Sequence, residues 1–288
     1  KAKRQKQKAR AKTARDALWV RQHALVLEDR LREANQRRRR AIAELNKVFG
    51  HCTDIAKMTL ELNAAWMPLP RVPPQVFDLA NLTCLRMVGD DLVVVPMELG
   101  RLKNLTVINF SCNKLRHLPE ELCELTKLHE INLMKNRLEY LPDNLGHLVR
   151  LRSLQLACNK LRYLPASIGQ LKRLPNLNLE LNELTRLPDT IGTLGCDVLN
   201  LNKNRLTSLP AGIGGMQRLV SLHCNFNQLR ALPPEIGDLP RLKELCVCNN
   251  KLTHLPERIG DLEDSLELLW LDWNGIAGAA WTSGGCTS

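Results

Sequence analysis

Four residues have the types and the spacing to hold a metal. His223, Cys246, Cys248 and Asp272 recur at related positions of a period of 23 or 24 residues. If each period adds one strand to a parallel sheet, neighbouring strands lie ~4.8 Å apart. An imidazole, two thiolates and a carboxylate would then face one another as a zinc set. The competing reading is an uncharged surface patch, and no metal or cofactor is assigned. Other reactive chemistry is missing. The seven histidines are scattered, and none of the ten cysteines forms a C-x-x-C pair. No G-x-x-x-x-G-K-[ST], H-E-x-x-H, G-x-S-x-G or kinase signature occurs. The residues predict no enzyme and no small-molecule substrate.

The elements that would position such residues come from self-similarity. An asparagine in the pattern L-x-x-L-x-L-x-x-N-x-L recurs at Asn113, Asn136, Asn159, Asn182, Asn204, Asn227, Asn250 and Asn274, with Asp90 in the first copy. The steps are 23, 23, 23, 23, 22, 23, 23 and 24 residues. Six residues after this marker stands a proline in all copies but the last, from Pro96 to Pro256, and an Ile-Gly or Leu-Gly pair usually follows. Alternating leucines would point into a core shared by neighbouring turns. The marker amide would bond the backbone of the adjacent turn. Proline would end the extended stretch, and glycine would permit the return.

Over residues 69–276 the chain resembles leucine-rich repeat proteins, in the intracellular L-P-x-x-I-G-x-L form of plant Ras-group and Ras-scaffold proteins. The resemblance implies an α/β-type repeat solenoid, a horseshoe with a concave parallel β-sheet, in which about nine repeats follow an N-terminal half-repeat. Solenoid ends need caps. Within residues 50–68, Thr53 to Trp66 reads as a capping helix, with Thr53 or Asp54 as N-cap and Ile55, Met58, Leu62 and Trp66 on one face. Residues 277–288 read as a small, polar tail.

The charge sits elsewhere. The chain carries +11 overall. Its first 48 residues hold sixteen Lys/Arg and five Asp/Glu, and the other 240 hold 25 of each. Residues 1–49 lack proline and glycine, favour helix formers, and space Val20, Ala24, Leu27, Leu31, Ala34, Ala41, Leu45 and Val48 as a coiled-coil-like heptad broken by Arg38. They predict a long basic α-helix of ~73 Å preceding the repeats. Its cations, Lys1, Lys3, Arg4, Lys6, Lys8, Arg10, Lys12, Arg37, Arg38, Arg39 and Arg40, form an anion-docking arm. A transit peptide is the lesser alternative. The chain has no initiator methionine and reads as a fragment of a longer protein.

On the expected concave face, the position four before the marker reads Arg86, Asn109, Asn132, Gln155, Asn178, Asn200, His223, Cys246 and Trp270. This amide strip ends in aromatics, with Phe226, Trp270 and Trp273 among only eleven aromatic residues. The strip is either a partner-binding surface or a solvated sheet face. Just after the marker, Lys114, Arg137, Lys160, Arg205 and Lys251 offer a second cationic column. Cysteines inside the repeats predict buried free thiols and a reducing compartment.

These observations together predict a non-catalytic protein scaffold in a multi-subunit assembly. Its expected location is cytoplasmic, with cytoskeleton or cilium favoured because the arm suits a tubulin-like acidic surface. The alternatives are a ribonucleoprotein component whose arm contacts RNA phosphates, and a signalling adaptor for a small GTPase or phosphatase. No apolar run approaches the ~20 residues of a membrane span.

Overall fold

A computed structural model describes residues 32, 33, 35–37, 39–45, 47, 48, 61–63, 69–89 and 91–276. Packing divides them into two units. One joins the residues between 32 and 48 to residues 74–79, and the other holds residues 61–63, 69–73 and 80–276.

In the larger unit each period contributes one three-residue strand. They are β1 (Glu61–Asn63), β2 (Cys84–Arg86), β3 (Val107–Asn109), β4 (Glu130–Asn132), β5 (Ser153–Gln155), β6 (Asn176–Asn178), β7 (Val198–Asn200), β8 (Ser221–His223), β9 (Glu244–Cys246) and β10 (Leu268–Trp270). All pair in parallel in sequence order, in one open sheet. Middle residues of the strands, such as Leu85, Ile108, Leu154 and Leu199, are buried, and the flanking ones are mostly half-exposed. Each buried leucine contributes about 1.5–3 kcal/mol.

The return path is a short 3₁₀ turn, as at Glu120–Glu124 and Ala166–Gln170. The recurring proline stands just before it in extended backbone, with φ −72° and ψ 147° at Pro119. Its fixed φ suits that geometry, and its carbonyl accepts the first turn bond, from Leu122 N–H at 3.1 Å.

The marker asparagines tie the turns together. Asn159 Nδ2 donates to the Leu133 carbonyl of the preceding turn at 2.9 Å and to its own turn's Leu156 carbonyl at 3.0 Å. Its Oδ1 accepts from Leu138 N–H at 3.1 Å. Asn136, Asn182, Asn204, Asn227, Asn250 and Asn274 repeat the pattern. One residue earlier, the backbone turns left-handed at Cys112, Lys135, Cys158, Leu181, Lys203, Phe226, Asn249 and Trp273, with φ between 55° and 60°.

Three expectations change. The glycine after the turn isoleucine is not needed for an unusual φ, since among the described glycines only Gly89 is left-handed. A Cβ on Gly169 would instead overlap the Thr190 carbonyl of the next turn. The Thr53–Trp66 capping helix also gives way, because Glu61–Asn63 is strand β1, paired with β2 in register Leu62↔Leu85. Strand β1 thus precedes the expected half-repeat over 69–81. Residues 50–60 and 64–68, and the tail at 277–288, lie outside the described residues. Finally, the continuous helix over 1–49 is not supported: helical residues are described only between 32 and 48, and residues 1–31 lie outside the description. Ala41 and Leu45 of the expected seam are buried, whereas Val48 is exposed.

Candidate functional site

The strand register places the expected column together. Arg86, Asn109, Asn132, Gln155, Asn178, Asn200, His223, Cys246 and Trp270 are consecutive partners across β2–β10, and Asn63 extends the row. The asparagines have a local reason to be there. The Oδ1 of Asn109, Asn132, Asn178 and Asn200 accepts the backbone N–H two residues on, at 3.0–3.1 Å. This Asx-type bond caps the strand end. Among the described residues no acceptor engages Nδ2 of Asn109, Asn132 or Asn178, which leaves a row of donors. Arg86 lies 3.8 Å from Glu61.

At the far end of the row, Trp270 is half-buried, Phe226 is 41% exposed and Trp273 is 79% exposed. Lys203 Nζ sits 5.9 Å from the Phe226 ring centroid, within cation–π range. Of the arm, Arg37, Arg39 and Arg40 are exposed, with Arg37 3.6 Å from Glu33. Lys1, Lys3, Arg4, Lys6, Lys8, Arg10, Lys12 and Arg38 lie outside the described residues.

The zinc set does not assemble as expected. His223 Nε2 lies 3.4 Å from Glu244 Oε2, and the Cys246 thiol donates to Glu244 Oε1 at 3.4 Å. Cys248 is disulfide-bonded, which also departs from the expected run of free thiols. The trio His223, Glu244 and Cys246 therefore replaces the quartet, its candidate ligand atoms within 4.8 Å of one another. The column after the marker is neutralised in part, since Lys114 pairs with Asp91 at 3.0 Å and Arg205 with Glu183 at 3.3 Å.

Burial pushes the Cys123 and Cys196 thiols from 9.0 up to about 12, and raises Cys224 further. A thiol with a raised folded pKa binds its proton more tightly in the native state. Its contribution to stability is complete below about pH 9 and is lost as pH climbs toward 12. At pH 8, iodoacetamide is expected to label half-exposed Cys112 and Cys158 and to spare Cys123, Cys196 and Cys224 until urea is added. Mass spectrometry of the alkylated peptides checks this.

Two features escaped the sequence reading. His117 stacks on Tyr140 with ring centroids 4.7 Å apart, and Tyr140 and Tyr163 are 40% and 45% exposed. The signal was available, because these three residues are spaced by 23. The second is a cationic cavity over three consecutive turns, lined by Lys127, Arg150, Arg152, Lys172 and Arg173. The zero net charge of the repeat region conceals it.

Comparison with known proteins follows the geometry. The family model for Leucine Rich Repeat matches residues 104–125. No curated protein matches the chain. Among solved structures, a leucine-rich repeat protein of Leptospira interrogans is 31% identical with a TM-score of 0.64, over 77% of this chain and 64% of that one. The ectodomain of the Arabidopsis thaliana receptor kinase GASSHO1/SCHENGEN3 is 31% identical with a TM-score of 0.65, over 76% and 28%. The leucine-rich repeat domain of the type III effector XopL is 26% identical with a TM-score of 0.65, over 82% and 89%. The chain thus spans less than two thirds of the first two. Among the described residues no helix is long and apolar enough to cross a membrane. Ten strands in register, with marker asparagines from Asn113 to Asn274 bonding neighbouring turns, give the chain the leucine-rich repeat fold that these structures share.

Proposed function

We propose that this chain is a non-catalytic scaffold that binds protein through the sheet face and its aromatic end. The leucine-rich repeat fold is generally a protein-interaction platform, and the Arabidopsis receptor ectodomain is solved in complex with CASPARIAN STRIP INTEGRITY FACTOR 2. The observation that carries the reading is Trp273, a large aromatic left 79% exposed three residues after Trp270. Exposed aromatics of this kind form interface hot spots. The basic segment supplies a second contact, on an acidic surface, and a cytoskeletal or ciliary assembly is the favoured setting. In that arrangement the aromatic end selects the partner and the arm provides attraction at a distance.

Trp273→Ala is expected to leave stability within ~0.5 kcal/mol while weakening partner capture at least tenfold. Retained binding in quantitative pull-downs from the same extract would remove the aromatic end from the interface. For the arm, the whole chain and a chain starting at Gly50 are compared for microtubule co-sedimentation and RNA binding over a salt series. Counterion release makes a phosphate-bound arm steeply salt-dependent. Equal binding by both chains removes the arm from the reading, and selective loss of RNA binding turns it to the ribonucleoprotein alternative.

A further inference from the structure

We propose that Lys127, Arg150, Arg152, Lys172 and Arg173 form a binding site for a compact polyphosphate anion. Lys127, Arg150 and Arg173 occupy the same position of three consecutive turns, 23 residues apart. They line one cavity of about 760 Å³ with Arg152 and Lys172. That size falls within the range of small-ligand sites.

The charge pattern is the argument. Several cations elsewhere in the solenoid meet a carboxylate on a neighbouring turn, and the cavity gathers five that do not. Lys103 pairs with Glu124, Lys243 with Glu267 and Arg258 with Asp238. Arg218, two turns beyond Arg173 at the same repeat position, meets Asp197 through two bonds of 3.1 and 3.0 Å. Among the described residues, none of the five cavity cations has a carboxylate within ion-pair distance. Lys127 donates only to Asn104 Oδ1, at 2.7 Å, and Lys172 only to the Thr193 carbonyl.

Glu120, Glu121 and Glu124 line an adjoining cavity, and two of them are committed elsewhere. Glu124 is held by Lys103, and Glu120 accepts from Asp143 N–H at 2.9 Å. Like charges stacked along neighbouring strands repel, and an anion seated among them removes that repulsion. Three guanidinium forks suit phosphate oxygens through paired bonds. His129 is the one ring that lines the cavity, so it lacks the succession of stacking platforms that single-stranded nucleic acid uses.

The test is isothermal titration of the full chain with inositol hexakisphosphate, alongside flotation with phosphatidylcholine vesicles with and without phosphatidylinositol bisphosphate. Because the basic arm also attracts polyanions, the measured quantity is the difference between variants. Arg150→Gln with Arg173→Gln is expected to weaken binding about ten- to hundredfold. Arg37→Gln with Arg39→Gln is expected to weaken it less than threefold. All four side chains are exposed, and circular dichroism confirms that both variants fold. Cavity-dependent binding of the soluble probe alone assigns a free polyphosphate, and cavity-dependent vesicle binding assigns a lipid headgroup. No binding, equal affinity of wild type and cavity variant, or equal loss in both variants overturns the proposal.

Discussion

Replacing Asn159 by alanine is expected to destabilise the protein by about 3–5 kcal/mol. The side chain is 7% exposed. Its removal strands the Leu138 N–H and leaves the Leu133 and Leu156 carbonyls with only the bonds from Asn136 and Asn182. Each buried unmade bond costs about 1–3 kcal/mol. Asn109, in the same protein and of the same residue type, is the natural control. It sits on the half-exposed sheet face and accepts only from Ser111, through its N–H and hydroxyl. Asn109→Ala should cost about 0.5–1.5 kcal/mol. Urea titrations of both variants measure the difference. Equal midpoints would mean that the marker amides do not hold adjacent turns together.

The second large effect concerns glycine. Gly169→Ala is expected to cost about 2–3 kcal/mol, because the new methyl overlaps the backbone carbonyl of Thr190 and cannot be accommodated by a side-chain rotation. The two turns must separate, and the separation strains the Thr193 hydroxyl bond to the Gly169 carbonyl. Gly260 occupies the same repeat position, yet a Cβ there meets nothing within 4 Å. Gly260→Ala should therefore be neutral or stabilising by up to about 1 kcal/mol, since alanine narrows the unfolded ensemble. Thermal unfolding of the pair separates a packing requirement from a conformational one. If both variants lose stability equally, the glycines serve backbone conformation after all.

The repeat was legible in the sequence because each marker residue serves one contact with a neighbouring turn, and that contact recurs. Asn, Pro and Leu therefore carry the period openly. The copy that holds β1 lacks the marker, because Met67 stands where the asparagine would be. Two other residues still marked it: Leu62 lies 23 before Leu85, and Pro73 lies 23 before Pro96. Composition also concealed the cationic cavity. A net charge of zero over 240 residues is an average, and electrostatics depends on which charges become neighbours. The register of the column four before the marker follows from spacing alone, but spacing could not show that its asparagines also cap their own strands. Nor could it show that Glu244 reaches His223, since glutamate two residues before Cys246 belongs to no metal-ligand spacing considered.

The left-handed residue before each marker has a consequence for how this protein can change. At Cys112, Lys135, Cys158, Leu181, Lys203, Phe226, Asn249 and Trp273 the same φ recurs under eight side chains that include a thiol, a cation, an amide and three apolar types. For an L-residue that conformation costs roughly 1–2 kcal/mol, and the surrounding turn enforces it whatever the side chain. The backbone thus acts as a rail of identical mounts, about one strand spacing apart, each carrying an interchangeable letter. A partner that reads this edge reads a short linear text. Substituting one letter alters the message without moving the line on which it is written.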